Sequence, residues 1–200
     1  MPKKVWYAPN KFESYGEEEI KAVEICLRDG WLAGFGDRSV EFEKRVADIF
    51  GKKHGLFVNS GSSAILLGLC ALNLPKGSEV VTPACGFSTT VAPLVQLGLK
   101  PVFCDVGLNS YVPTVEQLKA IVTSETKCIL LPNLIGNVPQ WQAIREAFPD
   151  VILFEDSADT ITKTPCTDIA TTSFYASHVI TAGGVGGMVM FNDEEHLKRA

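Results

Sequence analysis

The chain alternates short apolar runs with longer segments in which apolar residues recur every three or four positions. The short runs predict strands at residues 55–59, 79–82, 101–106, 128–132, 151–155, 170–175 and 187–191. The longer segments predict helices at residues 62–72, 89–97, 114–122 and 140–148. Because strands separated by helices of this length usually lie parallel in one sheet, we predict an α/β fold with a mostly parallel sheet and helices on both faces.

Two more helices are predicted before the first strand. The pattern Ser14-x-x-Glu17 is typical of a capping box and should start the first helix, which ends near Gly30. The second spans residues 39–50 and ends at Gly51. Its predicted apolar stripe consists of Val40, Phe42, Val46, Ile49 and Phe50. No repeat or linker interrupts the pattern, which favours one domain.

The last segment begins a helix close to the final residue. Asn192-x-x-Glu195 is a helix-start pattern, yet Ala200 follows barely two turns later. We therefore expect residues 1–200 to comprise an N-terminal segment and the large domain of a longer protein, with a C-terminal small domain missing.

Composition narrows the class of protein. The 200 residues are 46% hydrophobic and 20% charged, as expected for a globular chain with a sizeable core, and the net charge is −5. Basic runs are limited to the lysine pairs at 3–4 and 52–53, so we expect neither nucleic acid nor a membrane surface as a partner. The first residues lack the apolar stretch of a signal peptide, and we expect a cytoplasmic protein.

Six cysteines lie mostly among apolar residues, at positions 26, 70, 85, 104, 128 and 166. Because none form a Cys-x-x-Cys pair or a cluster, we expect buried reduced thiols, with neither disulfides nor a metal site.

Polar and small residues collect directly after four of the predicted strands, at residues 59–63, 82–87, 155–159 and 173–178. In an open parallel sheet, ligands bind beyond the carboxyl ends of the strands. We therefore expect these four segments to converge on one crevice.

The first segment, Ser60-Gly61-Ser62-Ser63, follows a strand and opens a helix. Its free amides could hold an anion such as a phosphate, or a serine could simply cap the helix. The segment does not match a nucleotide-binding loop, and the glycines from Gly183 to Gly187 lack the spacing of a dinucleotide fingerprint.

Each of the other segments offers one candidate with a functional and a structural interpretation. Asp156 ends a buried strand and needs a partner, which could be a protonated pyridine nitrogen, a neighbouring loop or a lysine. Phe87 could stack on a flat heteroaromatic ring or belong to the core. His178 could be catalytic or structural, whereas His54 and His196 are interpreted as solvated or structural.

In chain order, residues 30–32, 40–43, 59–64, 82–90, 155–159 and 173–182 resemble motifs of the vitamin B6-dependent sugar aminotransferases, the DegT/DnrJ/EryC1/StrS family. The resemblance extends from about Gly30 to the end of the chain. It implies the large domain of a fold type I transferase dependent on pyridoxal phosphate (PLP), usually a homodimer, acting on a nucleotide-linked sugar.

The resemblance also implies a role for each candidate residue. Gly61, Ser62, Ser63 and Ser173 would hold the cofactor phosphate. Phe87 would stack on the pyridine ring, and Asp156 would bind its nitrogen. Asp159 would be a further cofactor-binding residue, in a position where other members carry glutamine or histidine and the 3-dehydratases are similar in carrying aspartate.

His178 occupies the position of the lysine that binds PLP in most members of the family. A lysine amine forms a Schiff base with PLP, whereas an imidazole cannot. The resemblance therefore points to the nucleotide-sugar 3-dehydratases, which use noncovalently held pyridoxamine phosphate (PMP) and would remove the C3 hydroxyl of a 4-keto-6-deoxy sugar. His178 would then act as the base at the cofactor's C4′ carbon.

One segment departs from the family pattern. The usual Gly-Glu-Gly-Gly is replaced by residues 183–187, which contain no glutamate and one extra residue. Any iron–sulfur ligands, found in one dehydratase type, would lie in the missing C-terminal part.

Two other functions remain open from the sequence. The first is a conventional sugar aminotransferase that uses a displaced lysine, for which Lys163 is the nearby candidate. The second is a noncatalytic cofactor- or sugar-binding protein or a truncated scaffold.

Overall fold

The structure, a computed structural model, describes residues 15–30, 34 and 36–200. The strands are β1 (His54–Val58), β2 (Glu79–Pro83), β3 (Lys100–Cys104), β4 (Thr126–Pro132), β5 (Ile152–Ser157), β6 (Ile169–Ser173) and β7 (Gly187–Phe191). The α-helices are α1 (Glu17–Asp29), α2 (Asp37–Phe50), α3 (Gly61–Leu72), α4 (Ser88–Gln96), α5 (Val115–Lys119), α6 (Trp141–Ala147) and α7 (Glu194–Arg199). Residues Ser14, Trp31 and Leu32, which entered the sequence-based predictions, lie outside the described residues.

The seven strands form one sheet in the order β1-β7-β6-β5-β4-β2-β3. The pairs β2–β3, β2–β4, β4–β5 and β5–β6 are parallel, whereas β7 runs antiparallel to both β1 and β6. Every predicted strand is present within two residues at each end. The mostly parallel α/β sheet is therefore confirmed.

Helices cover both faces of the sheet, as predicted. Because side chains alternate along a strand, Leu130 and Phe154 pack with α3 on one face, whereas Leu131 and Leu153 pack with α5 and α6 on the other. Helix α2 contributes Phe50 to a third cluster beside β6 and β7. The carboxyl ends of the parallel strands are left open between these layers.

The helix starts differ from the sequence prediction at both ends of the chain. Helix α1 begins at Glu17 with Gly16 as its N-cap, and the Gly16 amide donates to the Glu19 carboxylate at 2.6 Å, whereas the predicted cap Ser14 lies outside the described residues. The N-cap of α7 is Asp193, one residue after the predicted Asn192, because its side chain accepts from the Glu195 amide at 2.7 Å.

The predicted apolar stripe of α2 is only partly buried. Val46 and Phe50 are buried, but Val40 and Ile49 are 59% and 44% exposed. The periodicity is correct, but the fully buried stripe residues lie only in the last two turns, while Phe42 is partly buried against Phe57 of β1.

The burial of the six cysteines is not uniform. Cys104 and Cys128 are buried, whereas Cys70 and Cys85 are exposed, which contradicts the prediction of buried thiols for these two. In the part of the chain that the structure describes, no helix is both long and apolar enough to cross a membrane.

Very close backbone packing joins β7 to the start of α3. A Cβ atom added at Gly187 would lie 2.3 Å from the carbonyl carbon of Ser60 and 2.5 Å from the amide nitrogen of Gly61. Gly61 in turn approaches Ser173, since an added Cβ would lie 2.9 Å from that side chain. Glycine is needed at both positions because any side chain would displace the backbone that opens α3.

We predict that Gly187→Ala lowers the free energy of unfolding by about 3 kcal/mol or more, because the new methyl group overlaps main-chain atoms that cannot rotate away. Chemical denaturation monitored by circular dichroism measures the change. Gly86→Ala is the control, since its Cβ would meet only the Pro132 side chain at 3.7 Å. Equal stability of the two variants would contradict the prediction.

Candidate active site

A cavity of about 600 Å³ lies at the carboxyl edge of the parallel strands. Its volume suits a small-molecule ligand. Seven of the eight predicted site residues line it, namely Gly61, Ser62, Phe87, Asp156, Asp159, Ser173 and His178. Ser63, the eighth, is not among the lining residues. The four sequence segments therefore converge as expected, although the roles of the individual residues remain predictions.

The N-terminus of α3 forms one wall of the cavity. Ser60 is the N-cap, and its hydroxyl accepts from the Ser63 amide at 3.1 Å. Ser63 thus serves the helix cap, whereas the amides of Gly61 and Ser62 precede the first residues that have intrahelical acceptors. With the Ser173 side chain packed against Gly61, these groups form a small polar cradle suited to a phosphate.

Asp156 lies at the floor of the cavity, near the end of β5, and is only 6% exposed. Its carboxylate accepts from the Thr90 hydroxyl at 2.8 Å and from the Ala158 amide at 3.3 Å. Burial raises the pKa of Asp156 from 3.8 to about 6, although both hydrogen bonds oppose the shift. The site thus contains a buried carboxylate that a cationic partner would stabilise in its charged form.

His178 is held in the loop between β6 and β7 by main-chain hydrogen bonds. The Phe174 amide donates to the Gly186 carbonyl at 2.9 Å, and the Ala176 amide donates to the Gly184 carbonyl at 3.0 Å. Gly184 and Gly186 have φ values of 108° and 133°, which only glycine adopts without strain. The glycine-rich segment therefore folds back on the strand end and turns His178 toward the cavity.

The two ring nitrogens of His178 have different surroundings. Nε2 lies 3.9 Å from Oδ1 of Asp159, too far for a direct hydrogen bond but close enough for electrostatic attraction. Nδ1 is buried and has no hydrogen-bond partner among the described residues. The Tyr175 ring packs edge-on at 5.8 Å between centroids. Nε2 is therefore the ring nitrogen that remains accessible, and Asp159 is the acidic side chain near it.

Phe87 does not belong to the core. It is 67% exposed, precedes α4 as its N-cap residue, and lines the cavity. The alternative of a core phenylalanine is therefore wrong.

Sequence reasoning assigned no role to four residues in or next to the site: Thr90 and Tyr175, which lie in the expected segments, and Asn133 and Ile135, which do not. The Ile135 amide donates to Oδ2 of Asp159 at 3.1 Å. Asn133 directly follows β4, so the rule that pointed to the other strand ends could have found it. The hydrogen bond from Thr90 depends on how α4 packs, which the sequence pattern does not reveal.

The remaining lysine and histidine candidates from the sequence lie outside the cavity. Lys163 is exposed and is not among the lining residues of the cavity. His54 and His196 lie together beside a different, more open depression, away from the predicted site residues. Among the described residues, no group of three or more histidine, cysteine or acidic side chains could hold a metal ion.

Residues 13–200 match the sequence model of the DegT/DnrJ/EryC1/StrS aminotransferase family. The chain belongs to this family. The match spans the cavity, all four converging segments and the His178 loop.

Two relatives and one solved structure illustrate what the chain is similar to. It is 39% identical to a dTDP-4-dehydro-2,6-dideoxy-D-glucose 3-dehydratase and 32% identical to a dTDP-4-dehydro-2,3,6-trideoxy-D-glucose 4-aminotransferase, both from Saccharopolyspora spinosa. These alignments cover 87% and 92% of the chain but 41% and 50% of the relatives.

The solved structure is that of the E. coli GDP-4-keto-6-deoxy-D-mannose-3-dehydratase with bound hydrated PLP. It superposes with a TM-score of 0.86 at 33% identity, over 96% of this chain and 52% of the other. The fold is therefore that of the PLP-dependent aminotransferases, and the chain spans about half the length of the relatives it matches.

We predict that Asp156→Asn changes how stability depends on pH. Because the folded-state pKa is raised from 3.8 to about 6, the folded chain holds this proton more tightly than the unfolded chain. The stabilisation of the folded state by the proton on Asp156 is complete below about pH 4 and is lost as the pH rises through 6. Between about pH 4 and pH 7, the cofactor-free chain should lose about 2 to 3 kcal/mol relative to Asp156→Asn.

Urea denaturation across this pH range measures the difference in free energy of unfolding between the wild type and Asp156→Asn. Asp150→Asn, which removes an exposed carboxylate, is the matched control. Parallel pH profiles for the wild type and Asp156→Asn would show that Asp156 does not carry the shift.

Proposed function

We propose that this chain provides the cofactor-binding large domain of a PMP-dependent enzyme that removes the C3 hydroxyl of a 4-keto-6-deoxy nucleotide sugar. The observation that carries the proposal is His178, which lines the cavity. By the family resemblance, this is the position where most members carry lysine. The similarity to two 3-dehydratases supports the same reaction.

The cavity residues fit PLP or PMP. The polar cradle formed by the Gly61 and Ser62 amides and the Ser173 side chain would hold the phosphate, and Phe87 would lie against the ring. The buried Asp156, raised in pKa and without a cationic partner among its hydrogen bonds, would face the ring nitrogen. When bound, PMP supplies an amine for the sugar ketone and an electron sink for loss of the neighbouring hydroxyl.

Asp156 would maintain the positive charge of the ring. A protonated ring nitrogen beside it would lower the carboxylate's pKa, opposing the effect of burial. The Thr90 hydroxyl orients the carboxylate by donating to Oδ2. In this way the protein would keep the electron sink charged at neutral pH.

His178 would move the proton. Nε2 would take the proton, since Nδ1 is buried, and the nearby Asp159 carboxylate would stabilise the imidazolium so formed. The Ile135 amide holds the other oxygen of Asp159. These two contacts would set the position of Asp159 relative to the imidazole.

A sugar aminotransferase is the second candidate, supported by the similarity to the 4-aminotransferase. A lysine able to bind PLP would be needed in that case. The lining residues of the cavity, all within the described part of the chain, include no lysine. The noncatalytic alternative, a cofactor- or sugar-binding protein or a truncated scaffold, would require that the cavity not catalyse a reaction.

We also propose a cytoplasmic homodimer. Several apolar side chains are exposed and offer a surface that a second copy could cover, and Phe87 and Tyr175 among them line the cavity: Phe57, Phe87, Tyr175, Val179, Ile180 and Val185. The six free cysteines fit a reducing compartment. Sedimentation of the purified full-length protein as a monomer at micromolar concentration would contradict the dimer.

His178→Lys tests the proposed function. The full-length wild-type protein, supplied with excess PMP and a 4-keto-6-deoxy nucleotide sugar, should yield a sugar that lacks the C3 oxygen, as measured by mass spectrometry. The variant should lose this reaction by a factor of about 100 or more, because the base is replaced by a cation. A wild-type product that retains the C3 oxygen and gains an amine would favour the aminotransferase.

Borohydride reduction with PLP provides the second measurement on the same pair. Peptide mapping should find PLP on residue 178 only in the variant and on no cavity residue of the wild type. Reductive labelling of wild-type Lys163, with loss of activity, would contradict the role of His178. Failure of the wild type to bind PLP or PMP would favour the truncated scaffold.

A further inference from the structure

Glu155 is a fully buried carboxylate directly before Asp156 on β5. Because side chains alternate along a strand, Glu155 points to the face of the sheet opposite Asp156 and does not line the cavity. Five side chains nevertheless converge on its two oxygens. Oε1 accepts from Asn133, Ser157 and Thr162, and Oε2 accepts from Thr164 and Thr167.

Lys52 supplies a positive charge beside this cluster. It is 3% exposed, and its ammonium group donates to the Thr164 carbonyl and to the Thr167 hydroxyl. Burial lowers the pKa of Lys52, and the negative charge of Glu155 opposes that shift. The end of α2 sets the position of Lys52, because the backbone amide of Lys52 donates to the Ala47 carbonyl at 2.8 Å. Hydrogen bonds to both carboxylate oxygens and the nearby ammonium group offset the cost of burying the charge of Glu155.

The first segment anchored on Glu155 is the loop between β5 and β6. Thr162 donates to Oε1 at 2.8 Å, and Thr167 donates to Oε2 at 3.0 Å. Asp159 lies on this loop, three residues before Thr162. The carboxylate therefore ties down the loop that carries the partner of His178.

The second anchored segment follows β4. The Asn133 side chain donates to Oε1 of Glu155 at 2.7 Å, and its amide donates to the Asp156 carbonyl at 2.8 Å. Two residues later, Ile135 has a φ of 52°, which is strained for a β-branched residue. Such strain persists only where surrounding contacts hold it, and the Ile135 amide is the group that donates to Asp159.

We propose that Glu155, with Lys52 as its counter-charge, is a positioning residue that holds Asp159 beside His178 from the far side of the sheet. Both segments that determine where Asp159 lies, its own loop and the turn at Ile135, are hydrogen-bonded to this one carboxylate. The effect on turnover rests on the proposed function of the cavity, whereas the ordering of the two segments does not.

Glu155→Gln in the full-length protein tests the proposal. Gln keeps the shape but removes the charge that the five donors and Lys52 share. Hydrogen–deuterium exchange followed by mass spectrometry should be at least about tenfold faster at residues 133–137 and 158–164, because the anchor is weakened. With PMP and the nucleotide sugar, kcat should fall by a factor of about ten or more, while KM changes by about twofold or less.

Asp168→Asn is the matched control. Asp168 also accepts from two groups, the Arg145 guanidinium at 2.5 Å and the Leu153 amide at 2.8 Å, but it lies at the opposite, amino-terminal end of β5 and β6 and does not line the cavity. This variant should lower the thermal midpoint without faster exchange at residues 133–137 or a lower kcat.

Thr162→Val, which removes only one donor, covers the case in which Glu155→Gln does not fold. It should show the same pattern with a smaller increase in exchange at residues 158–164. Unchanged exchange in both segments, or a uniform increase equal to that of Asp168→Asn, would overturn the positioning role. If exchange responds as expected but the sugar keeps its C3 oxygen, the proposed reaction fails and the positioning of Asp159 stands.

Discussion

Two consecutive carboxylates, Glu155 and Asp156, are buried at the end of one central strand, and the rest of the site depends on how each is compensated. Glu155 is surrounded by donors and by Lys52, so its charge is balanced within the protein. Asp156 receives only a hydroxyl and an amide, and its pKa is raised to about 6. The fold satisfies one carboxylate and leaves the other facing the cavity in need of a cation.

This difference follows from the alternation of side chains in the strand. One carboxylate points into the layer where the β5–β6 loop and the end of α2 meet, and the other points toward α4 and the open edge. The first therefore stabilises the loops, whereas the second is available to a ligand. Such a division of roles between adjacent residues gives a rigid support for a chemically active group.

Close backbone packing provides the second constraint. Gly187 and Gly61 let β7, β6 and the start of α3 approach within contact distance, which places the Ser173 hydroxyl beside the first amides of the helix. The antiparallel β7 also returns the chain to the cavity edge, so that His178 lies in the connection between β6 and β7. The anion cradle and the imidazole thus share one packing arrangement.

The sequence alone determined the strands, the α/β class and the convergence of four segments on one edge, because period-two and period-3.6 patterns and the position of strand ends are local properties. The ordered motifs also pointed to the family, which the match over residues 13–200 confirms. Apolar periodicity could not show that only the end of α2 is buried, since burial depends on what packs against a helix.

Tertiary structure alone decided which polar groups meet. Thr90 reaches Asp156 across 66 positions of sequence, and Lys52 reaches Thr167 across 115. No local pattern encodes such contacts, because they arise when separate layers pack against the sheet. For the same reason, the exposure of Phe87, the unpartnered Nδ1 of His178 and the anchoring of Asp159 through Ile135 emerged only from the folded chain.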